Sequence, residues 1–187
     1  MSNIKVLIFL LLIIFGFNLE GCKTKYRQQN IPEEITKPNT EQIFQSNQVM
    51  VKQNATLIRD QASKKGWKLT ETGTGVFYQI IKPLANNQNK RIETGDGVVL
   101  TYRVGLIDGQ ECYSSDKQGL KRFVVEKSEA ERGLHVAVKL MYPGDSALVV
   151  IPPHMAFGLT GDGDQIPPRA ILVYEIRIDS VFRHQNK

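Results

Sequence analysis

The sequence predicts an α+β fold in which an antiparallel β-sheet wraps around one short α-helix, with a helical extension on its N-terminal side. Three observations predict it. Beyond Trp67, apolar and β-branched residues recur in short runs separated by Gly-, Asp- and Asn-rich turns. A single clear helical stretch, residues 128–140, interrupts those runs. Upstream, Ile43, Phe44, Val49, Met50, Leu57, Ile58 and Ala62 form a broken apolar stripe at helical spacing. Strands in sequence with one helix between them favour an antiparallel sheet packed on that helix.

The N-terminal residues carry a different kind of signal. Lys5 precedes an apolar run over residues 6–17, shorter than the roughly 20 residues a spanning helix needs. A basic start, a short apolar segment and a small residue ahead of a cut describe an export signal, here residues 1–21. Leu19-Glu20-Gly21-Cys22 resembles the bacterial lipoprotein box, which implies that Cys22 becomes the lipidated N-terminus. Several acyl chains on one residue meet the requirement for stable membrane anchoring. Lys23 after that cysteine implies an outer-membrane lipoprotein facing the periplasm. With Cys22 lipidated, Cys112 is left without a disulfide partner in the chain.

Residues 22–39 are polar and hold Pro32 and Pro38, which reads as a tether. Thr40 is placed to cap the helical extension, residues 40–66, and Gly66 to end it. Its apolar stripe would be buried by the folded domain or by a second chain, the latter making a homodimer. Residues 67–187 then form the main domain. Strands are expected over 67–71, 75–82, 98–107, 123–126, 147–151 and 171–182, with a polar loop over 85–91 and a hairpin turn at Asp108-Gly109. In the helix 128–140, Ser128 is expected as the cap, Glu129 and Glu131 lie in the first turn, and Pro143-Gly144 follow the end.

Ile151-Pro152-Pro153-His154-Met155-Ala156-Phe157-Gly158, then Gln165-Ile166-Pro167-Pro168-Arg169-Ala170, describe a loop braced by proline pairs at both ends. With Val99-Leu100-Thr101-Tyr102, Asp108-Gly109, Ser114-Ser115, Glu129-Ala130-Glu131-Arg132-Gly133-Leu134 and Pro143-Gly144-Asp145, residues 95–181 resemble the FK506-binding (FKBP) family of peptidyl-prolyl isomerases. The lipoprotein signal and tether extend the resemblance to the gliding-motility-associated FKBP-type lipoproteins of Bacteroidetes. This implies an FKBP-like fold and a site that twists the Xaa-Pro amide of exported proteins. The barrier to that twist, about 18–20 kcal/mol, arises from resonance. An apolar pocket with a main-chain donor for the carbonyl favours the twisted form, without metal, cofactor or nucleophile.

The resemblance implies a pocket made of Tyr102, Phe123, Glu131, Leu134, Phe157, Ile166 and Tyr174. Glu131 stands where the family has an Ile whose main-chain N–H meets the substrate carbonyl. Leu134 stands for Trp, Phe157 for Tyr, and Tyr174 for Phe. Cys112, Tyr113 and Lys121 stand where Phe, Asp and Phe are usual, so an apolar wall and a polar partner are altered. Tyr102 and Tyr174 also suit plain core positions, Cys112 an inert buried thiol, and Glu131 a charge favouring the helix dipole. These departures leave two readings: an isomerase of reduced activity, or a binding module of the same fold gripping proline-containing segments.

Other chemistries find little support. His135, His154 and His184 are too dispersed for a metal site, and Asp162-Gly163-Asp164 reads as a turn rather than a calcium loop. The net charge of +5 comes from scattered basic residues and survives removal of residues 1–21, so it suits acidic surfaces better than nucleic acid.

Overall fold

The computed structural model describes residues 39–83 and 90–183. The expected export signal, lipidated Cys22, nearly all of the tether, His184 and most of the 85–91 loop lie outside the described residues. Helix α1, Thr40–Lys65, begins at Thr40 itself. It ends where Gly66, at φ +69°, donates to Ser63 O at 3.3 Å and Trp67 N donates to Ala62 O at 2.9 Å. That pair of bonds satisfies carbonyls of the last turn, and the left-handed backbone they need is accessible to glycine.

Strands follow in the expected sequence with altered bounds: β1 Thr70–Glu71, β2 Phe77–Lys82, β3 Gly97–Leu106, β4 Glu111–Ser114, β5 Lys121–Val124, β6 Ser146–Ile151 and β7 Leu172–Phe182. All pairings are antiparallel, in the order β1-β2-β6-β7-β3-β4, with β5 on β3. Strand β7 covers one edge of β3 from end to end, whereas β5 and β4 share the other edge, at Gly97–Leu100 and Arg103–Gly105. Between them the Ser115 hydroxyl accepts from Tyr102 N and donates to Tyr102 O, both at 3.2 Å. One side chain thus satisfies the two main-chain groups the broken edge leaves over. Strand β4 and the short helix α2, Ser115–Gln118, are elements beyond those the sequence pattern predicts.

Helix α3, Arg132–Val138, is shorter than expected and starts four residues after Ser128. Glu126 adopts φ +59°, turning the chain just past β5. Ser128 then bonds back to that strand, accepting from Val124 N at 2.6 Å and donating to Val124 O at 3.1 Å. Its hydroxyl is therefore committed to the turn, and Glu131 takes the cap position with extended backbone, ψ 132°.

The inner face of the sheet and α3 enclose the main core, which includes Val98, Leu100, Tyr102, Val104, Leu134, Val138, Val149, Ile151, Leu172, Tyr174 and Ile176. A Cβ on Gly133 would lie 2.3 Å from Ile151 Cγ2, so glycine sets how closely α3 approaches β6. On the outer face a smaller cluster joins Ile58 of α1 to Phe77, Val150 and Ile171. The C-terminal half of α1 is thereby docked, while Ile43, Phe44 and Val49 remain exposed. Among the described residues, no helix is long and apolar enough to cross a membrane.

Candidate functional site

The residues singled out in the sequence meet in the inner core, although they come from five elements and the braced loop. Tyr102 on β3, Cys112 on β4, Phe123 on β5, Leu134 on α3, Tyr174 on β7 and Ile166 of the braced loop belong to a single buried cluster. Each is less than a tenth exposed, and Leu134 is wholly buried. Tyr113, Ala130, Met155 and Phe157 are among the half-buried residues that pack against that cluster. The Tyr102 and Tyr174 rings lie 6.4 Å apart and tilted by 40°. Phe123 meets His135 edge to face at 5.0 Å, and His135 is held by accepting from Glu126 N through Nδ1 at 3.1 Å.

Three of the residues form a polar group inside this apolar setting. The Glu131 carboxylate is 7% exposed and accepts from Lys121 Nζ at 2.8 and 3.0 Å. Its Oε1 also accepts from Tyr174 OH at 2.6 Å. Burial, then the adjacent Glu131 charge and hydrogen bond, raise the Tyr174 phenol well above its ordinary range. Burial and the same charge raise Tyr102 as well. Lys121 Nζ lies 5.9 Å from the centre of the Tyr102 ring, within cation–π range, and Tyr102 OH donates to Gln118 Oε1 at 2.9 Å. The dipole role considered for Glu131 therefore gives way to a tie between α3, β5 and β7. Its side chain makes no cap bond, and its main-chain N–H lies ahead of the helical hydrogen-bond ladder.

A second polar group orders the braced loop. Tyr113 OH donates to Asp162 Oδ2 at 2.6 Å, lies 3.2 Å from Asp164 Oδ2 and accepts from Gln165 N at 3.2 Å. Asp162 Oδ1 accepts from Asp164 N and Ile166 N, each at 2.9 Å. Burial pushes the Asp162 carboxyl up, but these hydrogen bonds together outweigh it and hold it below the usual carboxylate range. The Asp162 hydrogen bond, with desolvation, pushes Tyr113 up to about 12. A Cβ on Gly161, at φ +73°, would lie 2.2 Å from Ile166 O, so the bend that seats Ile166 depends on glycine. Cys112 Sγ donates to Gln165 O at 3.7 Å, and burial followed by nearby carboxylates raises the thiol. A thiol so raised is a poor nucleophile.

Asp162, Ser115, Gln118 and His135 hold this site without having been marked as site residues in the sequence. Asp162-Gly163-Asp164 does form a turn, and the proximity of Asp162 to Tyr113 follows only from strand β4. Among the described residues no group of three or more His, Cys, Asp or Glu side chains is arranged to hold a metal ion.

Residues 88–179 match the family model of the FKBP-type peptidyl-prolyl cis-trans isomerases. They form an FKBP-type domain. The chain is 38% identical over 132 residues to the peptidyl-prolyl cis-trans isomerase FKBP7 of Pongo abelii, an overlap of 68% of this chain and 57% of that protein. It is 29% identical over 129 residues to a Neisseria meningitidis protein named "Probable FKBP-type peptidyl-prolyl cis-trans isomerase FkpA", covering 69% of this chain and 45% of the relative. The chain thus spans about half the length of these curated relatives. Among solved structures, FkpA from Escherichia coli is similar with a TM-score of 0.56 and 25% identity, over 78% of this chain and 74% of that one. The N-terminal domain of FKBP42 from Arabidopsis thaliana gives a TM-score of 0.53 at 26% identity, over 58% of this chain and 87% of the domain. The FKBP-like fold expected from the sequence, with its N-terminal helix, is the one observed.

Proposed function

We propose that the chain is a peptidyl-prolyl cis-trans isomerase that acts on proline-containing segments of exported proteins. The observation that carries this reading is the presence of Tyr102, Phe123, Leu134, Ile166 and Tyr174 in one buried apolar cluster, with Tyr113 and Phe157 half-buried against it. A prolyl ring seated there leaves water, and the amide before it loses polarity as it twists, so a dry site favours the twisted form. The main-chain N–H of Glu131 holds a carbonyl oxygen of the bound segment. The uncatalysed reaction takes tens of seconds or longer, which gives such an activity its use.

The reading extends to an envelope lipoprotein anchored through lipid on Cys22, in the outer membrane and facing the periplasm, that assists folding or assembly of a gliding-motility apparatus. Homodimerisation through residues 40–66 belongs to the same reading, since Ile43, Phe44 and Val49 are exposed along α1. Processing at Cys22 is tested by whether globomycin causes the uncleaved precursor to accumulate. The isomerase is tested with the full chain in detergent, by exchange NMR on several Xaa-Pro peptides. Rates no faster than buffer on every peptide overturn it.

Two observations favour a second reading, a binding module with little turnover. Leu134 is wholly buried, and the Lys121–Glu131 pair places charge in the apolar site. Peptide binding without acceleration of exchange would select that reading.

A further inference from the structure

The outer face of the sheet carries a recess that the inner-face site does not use. Val98, Leu100, Tyr102 and Val104 point into the main core, so Gly97 at the start of β3 lies on the opposite face. Its partners on either side are Val124 of β5 and Phe182 of β7, and the three form one row across the sheet. The middle of that row has no side chain, while Val124 is 36% and Phe182 63% exposed. Neither backbone nor packing requires glycine there. Gly97 is not left-handed, and an added Cβ would meet its nearest neighbours, Phe182 Cβ and O, at 3.6 Å, an ordinary contact. A glycine in a strand weakens it and leaves a place where another molecule can come close.

The recess has a volume of about 430 Å³ and is lined by Gly95, Gly97, Val124, Lys127, Phe182 and Arg183. That lies in the range of ligand sites, roughly 300–1,000 Å³. The lining holds two cations and no carboxylate. Lys127 lies over Gly95 and makes no hydrogen bond or ion pair among the described residues. Arg183 donates to Lys90 O at 3.0 Å and has no carboxylate partner among the described residues. Glu126, next to Lys127, is taken by Lys139 and Thr94, and Asp96, next to Gly97, accepts from Glu93 N.

We propose that this recess binds an acidic peptide segment of a partner protein. An aromatic side chain of that segment sits over Gly97 between Val124 and Phe182, and a neighbouring carboxylate meets Lys127 and Arg183. The charge of the lining selects an anion, and the missing side chain leaves room for an apolar group. A lipid surface fits less well, since clusters of roughly four to eight cations mark that kind of recognition and only two line the recess. The recess lies on the outer face, so this inference stands independently of the isomerase reading.

The test uses the full chain in nanodiscs of phosphatidylcholine and three proline-free peptides, each with one Phe flanked by two Asp, two Asn or two Lys. Fluorescence anisotropy of the labelled peptides gives affinity, and the Gly97 amide resonance reports occupancy. The Asp peptide is expected to bind about five-fold more tightly than the Asn peptide at low salt, with the difference shrinking at high salt and the Lys peptide weakest. Gly97→Val places a side chain in the recess and is expected to weaken the Asp peptide at least about ten-fold. Lys127→Gln/Arg183→Gln alters only exposed side chains and is expected to bring the Asp peptide level with the Asn peptide. Absence of binding, or equal binding of the three peptides by the unaltered chain, overturns the proposal. So does an Asp peptide bound undiminished by either variant. A Gly97 resonance that ignores every peptide but moves when phosphatidylglycerol replaces phosphatidylcholine also overturns it and assigns the recess to the membrane.

Discussion

Two polar groups hold the same site in opposite ways. The Lys121–Glu131–Tyr174 tie joins β5, α3 and β7, and its Glu131 and Tyr174 members are largely withdrawn from water. The Tyr113–Asp162 group is a local ring that gathers residues 161–166 onto one strand and stays close to solvent. In the first, each member compensates a charge or hydroxyl that the fold has desolvated, so loss of one exposes the cost of another. In the second, water replaces a missing partner at modest cost, and what is lost is the order of the loop. Elements of a binding site can thus be rigid for different reasons, and substitutions separate them.

The largest effect is expected for Lys121→Leu, which leaves the Glu131 carboxylate buried without its counter-charge. Urea unfolding should show a loss of about 3 kcal/mol, and the paired Lys121→Met/Glu131→Gln variant should recover more than half of it. Equal losses in both would place the tie among ordinary surface pairs. Gly161→Ala comes next, at about 2 kcal/mol, because φ +73° and the Ile166 carbonyl both oppose a Cβ. Its signature is a loosened loop, read as faster amide exchange at Ile166, with that at Leu134 unchanged.

Asp162→Asn should cost about 1 kcal/mol after solvent screening. Its folded pKa is depressed, so the wild-type advantage is present above the unfolded carboxylate value, about 3.9, and is lost as pH falls through the lower folded one. Unfolding curves of the two proteins should converge in that acid window and stay parallel at neutral pH. Tyr113→Phe is the smallest, under about 1 kcal/mol. Its folded pKa is raised to about 12, so the advantage of the hydroxyl persists below about pH 10 and disappears as pH rises through 12. Acid-side convergence for Tyr113→Phe without any alkaline one would assign the whole loop effect to Asp162.

The sheet was legible in the sequence because β-branched runs and glycine-bearing turns report local backbone preference directly. The end of α1 at Gly66 and the turn at Asp108-Gly109 are of that kind. Strand β4 was not, since Glu-Cys-Tyr-Ser has no β-branched run and is a strand because β3 offers it an edge. The start of α3 was misplaced for a related reason: Ser128 suits a cap, but tertiary position gives its hydroxyl to Val124. The pocket residues could be matched to a family pattern one at a time. That Lys121, Glu131 and Tyr174 act together could not be read, because positions 10 and 43 residues apart share no periodicity.

The interruption on the edge of β3 has a practical use. Where a strand would normally supply a peptide group, a single serine hydroxyl serves both the amide and the carbonyl of Tyr102, the residue whose ring lies under the Lys121 ammonium. A hydroxyl swings away more readily than a neighbouring strand peels off. The Tyr102 amide is therefore tied to this edge by one serine hydroxyl, and its exchange with solvent reports when that hydroxyl lets go.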